Sequence, residues 1–247
     1  MPEHDELYYA YPIPLDVSMC SPAGALYPSA YQRFITDMVQ EHLVNIGMGI
    51  PSLVSQYGIS WVLLAMSIQI QRPFRITDSL HVRTWNTSRH LPVYRREFAV
   101  YDEEEHPVAV GTTFSSLLDL KARHICMRPE IHNMFHLPDG KEALEAVSRF
   151  QEEPCFIEVE TRKVRPSWLD GLGHVNNSRY GDFVFDALSP EEQAAMGRLS
   201  RLDVWFQAEL KQGMSFVMEK AAKENSIYVR GVILPDKKVS FVMKLTF

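Results

Sequence analysis

The sequence predicts an α+β chain made of two copies of one unit, each a long helix lying on an antiparallel sheet. Three observations carry this reading. The 247 residues, 46% hydrophobic and 23% charged, suit one large or two modest globular domains. Each half sets a helical apolar stripe ahead of several strand-like runs. An internal repeat also emerges when Ser21–Asp37 is set against Asp170–Asp186 at a constant offset of 149 residues. Gly24/Gly173, Ser29/Ser178, Tyr31/Tyr180, Phe34/Phe183 and Asp37/Asp186 are then identical, five of 17 positions, and the flanking strand order repeats with them.

Along the first half, Leu7 to Val17 reads as a strand interrupted by Pro12 and Pro14. Ser21-Pro22-Ala23-Gly24 is turn-like. A helix follows from Ser29 to about Ile46, with Ala30, Tyr31, Phe34 and Met38 on one face, and Gly47 and Gly49 supply its stop. Strands are expected at Trp61–Ile70, Leu80–Trp85, Tyr94–Tyr101 and Pro107–Leu118, the last two forming a hairpin whose charged tip is Asp102-Glu103-Glu104-Glu105-His106. Pro129, Pro138, Gly140 and Pro154 mark a linker containing a short helical run, Lys141 to Arg149. The second half repeats the order. Cys155–Val164 is a strand, Asp170–Asn177 a turn and Ser178–Leu188 a helix. Strands follow at Arg201–Phe206, Ser215–Ala221, Ile227–Leu234 and Val239–Phe247, with Pro235-Asp236-Lys237 as the final turn. The expected division is 5–130, a linker over 131–149, and 150–247.

Composition excludes several classes. A formal charge of −6 without a run of five basic residues speaks against nucleic acid as the main partner. Cys20, Cys126 and Cys155 are odd in number and show no Cys-x-x-Cys, which argues against a disulfide framework or a zinc knuckle and for free thiols in a reducing compartment. The acidic start MPEHDELYY carries no signal peptide, and the most apolar stretch, 59–70, is too short to span a bilayer, so a cytoplasmic chain without membrane contact is expected. His124, His132 and His136 have no accompanying carboxylate cluster and are read as surface residues rather than metal ligands. There is no Gly-x-Ser-x-Gly elbow and no Gly-rich phosphate loop.

The chemistry concentrates in Asp170-Gly-Leu-Gly173-His174-Val175-Asn176-Asn177-Ser178-Arg179-Tyr180. It is a polar loop feeding a helix. Asn176 or Asn177 can cap that helix, and the first helical N–H groups lie at the positive end of its dipole, where they suit an oxyanion. A carboxylate four residues before a histidine supplies a base or nucleophile and a polar positioning group. Taken singly, Asp170 could merely end a strand, His174 could be a hydrogen-bonded loop residue, and the asparagines could be caps. Their convergence in one eleven-residue segment favours the functional reading.

Asp-x-x-Gly-His-Val-Asn-Asn-x-x-Tyr resembles the active-site segment of hotdog-fold thioesterases. The duplicated layout, the length and the location in the second half resemble acyl-ACP thioesterases in particular. The resemblance implies a tandem, or double, hotdog fold. It implies hydrolysis of the thioester between a fatty acyl chain and acyl carrier protein, without metal or cofactor. By position, Asp170 and His174 match the family's essential Asp and His. Glu209 matches an acidic residue of the plant-type enzymes; read alone, a Glu at a strand start is usually solvated. Two positions depart from the plant-type pattern: Leu172 stands where those enzymes have Asn, and Leu210 where they have Cys.

The first half lacks this chemistry. Ser21, Ala25, Tyr27 and Pro28 stand where Asp170, His174, Asn176 and Asn177 stand in the second. One working site per chain is therefore expected, with the first half shaping the acyl pocket. Acyl carrier proteins are acidic, so Lys163, Arg165 and Arg179 are candidate docking residues. Lys163 and Arg165 should project together while Arg162 points away. The alternatives are an acyl-CoA thioesterase and a non-catalytic acyl-binding protein, the latter favoured by Leu172. A homodimer and a monomer both remain open.

Overall fold

The computed structural model describes residues 9–87, 91–134 and 140–247. The first half runs β1 (Tyr9–Ile13), α1 (Pro28–Asn45), α2 (Ile50–Tyr57), β2 (Ile59–Ile70), β3 (Leu80–Asn86), β4 (Tyr94–Tyr101), β5 (Pro107–Asp119), β6 (His124–Ile125) and the single turn α3 (Pro129–His132). The second half runs β7 (Ile157–Lys163), α4 (Arg179–Ala187), α5 (Pro190–Ala195), β8 (Arg201–Phe206), β9 (Ser215–Lys223), β10 (Ser226–Leu234) and β11 (Lys238–Thr246). Pro12 sits inside β1, where it is tolerated because β1 lies at the sheet edge. The residues before Tyr9, where the first strand was expected to begin, lie outside the described set.

The strands form one antiparallel sheet in the order β1-β3-β4-β5-β2-β8-β11-β10-β9-β7, with β6 added to β5. The two halves have the same internal order. They join through their corresponding second strands, β2 and β8, which pair with Met66 opposite Val204. The path is therefore symmetric about that junction. Both long helices lie on the same face. Tyr31, Phe34, Ile35 and Met38 of α1, and Tyr180, Phe183 and Val184 of α4, share one core with inward-facing Met66, Phe98, Val204, Phe216 and Phe241.

The helices meet closely. A Cβ built on Gly181 would stand 2.3 Å from the Ser29 amide nitrogen and 2.4 Å from Gln32 Oε1. Gln32 and Gly181 are equivalent positions at the offset of 149. The repeat thus crosses itself at a point where one half carries a long amide and the other no side chain.

The expected helical run Lys141–Arg149 is not a helix. It is a strap across the outer face of the sheet, held through its own carbonyls. Trp85 Nε1 donates to Lys141 O at 2.8 Å, Arg95 Nη2 to Leu144 O at 2.5 Å, Arg201 Nη2 to Glu145 O at 3.0 Å and Trp205 Nε1 to Val147 O at 3.0 Å. Ala146 and Phe150 pack on Ala65, Phe114, Trp205 and Val242. These side-chain donors satisfy an extended chain without a helix, a tertiary effect that outweighs local propensity. His132, expected at the surface, is 3% exposed; Tyr94 Oη contacts its Nδ1 and Cys126 O lies 2.8 Å from its Nε2. His136 lies outside the described residues. Among the described residues no helix is long and apolar enough to cross a membrane.

Candidate active site

The Asp170 loop is a backbone frame. A short 3-10 turn, Pro166–Trp168, leads into it. Asp170 N–H donates to His174 O at 2.8 Å, Gly173 N–H to Asp170 O at 3.1 Å, and Asn176 N–H to Trp168 O at 2.9 Å. Gly173 has φ +82°, a value that only glycine adopts without strain. Val175 N–H reaches Leu210 O at 2.9 Å, tying the loop to the segment after β8.

The first half holds the same frame at the same offset. It has a 3-10 turn at Val17–Met19, Ser21 N–H to Ala25 O at 2.8 Å, Gly24 N–H to Ser21 O at 2.8 Å and Tyr27 N–H to Met19 O at 2.9 Å. Gly24 has φ +80°. Within this frame the side chains differ. Asp170 Oδ1 accepts from Leu172 N–H at 2.8 Å and His174 N–H at 3.3 Å. Ser21 Oγ is buried with no hydrogen-bond partner among the described residues.

The loop places its residues unequally. His174 is half-buried and its Nε2 lies 3.1 Å from Glu209 Oε2. Glu209 is not a solitary solvated residue. The same Oε2 receives Arg123 Nη2 at 2.5 Å and Lys211 Nζ at 3.4 Å. Asn176 is exposed, and its Oδ1 takes Ser178 N–H at 2.9 Å and Ser178 Oγ at 2.8 Å, a brace at the entrance to α4. Asn177 turns the other way. Its carbonyl accepts from Gln32 Nε2 at 2.9 Å, and it lines a cavity of about 120 Å³ beneath α1. That cavity is otherwise walled by first-half residues, chiefly Ile35, Val39, Leu43, Trp61 and Leu63. A polar trench of about 480 Å³ runs past Ser29, Arg33, Ser167, Asn176 and Ser178. It shares Thr36 and Gln40 with the cavity.

Neither departure from the plant-type pattern bears on this geometry in the same way. Leu210 is wholly buried in the core. Leu172 is 54% exposed and contributes its N–H to Asp170. Burial, with Asp16 nearby, pushes the Cys20 thiol up, away from the thiolate a nucleophile needs. Sequence reasoning missed Arg123, Lys211 and Gln32. Arg123 and Gln32 come from the half without the motif, and no local pattern marks them.

The family model for the acyl-ACP thioesterase N-terminal domain matches residues 18–135, and that for the C-terminal domain matches residues 155–239. The chain belongs to the acyl-ACP thioesterase family. It is a thioester hydrolase, and the two matches fall on either side of the strap. Among solved structures, it is similar to an acyl-ACP thioesterase from Bacteroides thetaiotaomicron, with 19% identity, TM-score 0.78 and coverage of 97% of both chains. It is similar to the 12:0-ACP thioesterase from Umbellularia californica, with 14% identity, TM-score 0.76 and coverage of 97% of this chain and 96% of that one. An oleoyl thioesterase (putative) from Lactobacillus plantarum gives 18% identity and TM-score 0.76, covering 96% and 94%. These likenesses establish the tandem hotdog fold. No curated protein matches the chain.

Proposed function

We propose that this family member hydrolyses fatty acyl-ACP at a single site built by Asp170, His174, Asn176, Asn177 and Glu209. The observation that carries the reading is the His174–Glu209 contact of 3.1 Å, three residues upstream of Asn177 on the wall of an apolar cavity. An acyl thioester on pantetheine is polar along its arm and apolar along its chain. The trench takes the arm, the cavity takes the chain, and Thr36 and Gln40, common to both, lie where the two parts meet.

In this reading the positive end of the α4 dipole faces the thioester carbonyl and polarises it. Glu209, paired with His174, accepts a proton from water as the water oxygen bonds to the carbonyl carbon. The tetrahedral intermediate then collapses, breaking the C–S bond, the leaving pantetheine thiolate takes the proton back from Glu209, and the fatty acid is released. Asp170 holds the backbone of His174 and Leu172 with Oδ1 and supplies the carboxylate charge beside them. Asn176 braces the start of α4, and Asn177 positions the chain entering the cavity. No step uses a cofactor or metal. The reading places the protein in the cytoplasm, with Lys163, Arg165 and Arg179 facing the carrier. Lys163 and Arg165 are exposed and Arg162 is turned inward over Phe183, paired with Glu160 and Asp186. Arg179 pairs with Asp182 at 3.0 Å.

The test is hydrolysis of acyl-ACP and acyl-CoA over a range of chain lengths by the wild type, Asp170→Asn and Ser21→Ala. Asn keeps the Oδ1 acceptor that frames the loop and removes only the charge. Asp170→Asn should therefore fold normally and lose turnover. Ser21→Ala removes a buried hydroxyl without a partner and should keep both turnover and stability. Equal losses in the two variants would defeat the one-site reading, and absence of hydrolysis by the wild type on every substrate would defeat the function.

A further inference from the structure

We infer that Arg123, from the half that has lost its own site, is a positioning residue for Glu209 in the other half. The inference rests on the reading that Glu209 serves in hydrolysis. Arg123 occupies the tight connection between β5 and β6. Asp119 builds that turn. Its Oδ1 accepts Lys121 N–H at 3.0 Å and Ala122 N–H at 2.9 Å, and its carbonyl accepts Arg123 N–H at 2.8 Å. Arg123 itself sits at φ +58°, a left-handed conformation that costs a side-chain-bearing residue about 1 kcal/mol. The turn sets the direction in which the Arg123 side chain leaves the backbone. The guanidinium reaches 86 residues along the chain to Glu209 Oε2 at 2.5 Å.

The consequence lies in which oxygen is taken. Arg123, His174 and Lys211 all address Oε2. Oε1 has no hydrogen-bond partner among the described residues. A carboxylate on three rotatable bonds would otherwise exchange its two oxygens freely. Of the three donors, the Arg123 contact is the shortest, and a charge-assisted bond of that length dominates the orientation. Arg123 thereby fixes Oε2 as the anchor shared with His174 and leaves Oε1 to face the water. It acts through Glu209 and touches neither substrate nor water.

The role differs from general stabilisation in one measurable way: it exists only while Glu209 has a carboxylate to orient. Arg123→Ala, Glu209→Gln and the double variant are compared in kcat and KM on a neutral acyl-N-acetylcysteamine thioester, which lacks a carrier to dock, with thermal midpoints measured for all. Arg123→Ala should lower kcat about tenfold to thirtyfold, in line with a charged hydrogen bond, with KM and the midpoint nearly unchanged. In the Glu209→Gln background the same substitution should have little further effect. Arg123→Lys should recover part of the rate, and methylguanidinium added to Arg123→Ala should restore it saturably. Methylguanidinium rescue decides the matter if the Glu209→Gln rate is too low to compare. Equal losses in both backgrounds, a loss confined to KM, or an unchanged kcat in Arg123→Ala would overturn the inference. An unchanged kcat in Glu209→Gln alone would overturn the parent reading of Glu209, and this inference with it.

Discussion

Gly181→Ala tests whether the crossing of the two helices sets the geometry of the site. The new methyl would lie 2.3 Å from Ser29 N, 2.4 Å from Gln32 Oε1 and 2.6 Å from Ser29 Cα. Ordinary contact distances are about 3.5 Å, so α1 and α4 must separate by roughly 1 Å or the Gln32 amide must leave. Ser29 is backbone at the first turn of α1 and cannot step aside, so separation is the main response. Overpacking of this kind costs about 1–3 kcal/mol, offset by about 1 kcal/mol of helix propensity gained over glycine. The net loss of about 0–2 kcal/mol corresponds to a fall of roughly 0–8 °C in thermal midpoint for a chain of this size. The effect on rate should be larger than the effect on stability. In the proposed reading the start of α4 faces the thioester carbonyl, and a displacement of about 1 Å can cost on the order of a hundredfold. Gln32 would also lose its hold on the Asn177 carbonyl. The assay is kcat/KM on an acyl thioester beside a thermal melt, with Gly197→Ala as control, since a Cβ there meets nothing within 4 Å. Wild-type turnover in Gly181→Ala would refute the argument that this crossing positions the Asp170 loop.

Two further outcomes follow from the structure. Burial, with Arg96 beside it, pushes His42 down to about 3, and Arg96 Nη1 contacts its Nδ1. The unfolded chain therefore binds a proton near pH 6.5 that the folded chain refuses. The stability gained from the neutral ring is complete above about pH 6.5 and is lost toward pH 3, by up to about 1.4 kcal/mol per pH unit. His42→Gln should flatten the dependence of the thermal midpoint between pH 6.5 and 4, and an unchanged slope would count against the assignment. Replacing Lys163 and Arg165 together should raise KM for acyl-ACP at low salt, less so at high salt, and spare a short neutral thioester. Equal effects on both substrates would show that the pair is structural.

The parts of this protein legible in the sequence are those where a local period or a backbone requirement speaks for itself. β4 and β8 fall on the expected residues, and α1 and α4 lie where their apolar stripes put them. The short helices α2, α3 and α5 are not marked by an apolar stripe in the sequence. Gly49, expected with Gly47 to stop α1, instead caps α2 with Pro51 in its first turn, and Ser189-Pro190-Glu191-Glu192 is a complete capping box for α5. The strap over 140–150 was misread because its carbonyls are held by Trp85, Arg95, Arg201 and Trp205, far away in sequence. A helical-looking run has no reason to coil when tertiary donors already satisfy it.

The same distinction explains the candidate site and its silent twin. The loop frame consists of backbone hydrogen bonds and one glycine at positive φ, so Ser21–Leu26 can keep the fold of Asp170–Val175 with almost none of its side chains. The backbone frame persists without the acid and the imidazole, and the first half's helix and hairpin carry other residues toward the second half. Gln32 and Arg123 do that work: one holds the Asn177 carbonyl, the other holds Glu209, and both cross the junction between β2 and β8. Two working sites would have required each half to supply both an Asp–His loop and the residues that hold the other's. In the proposed one-site reading, the residues on the supporting side carry no motif because their chemistry is defined only by what they face.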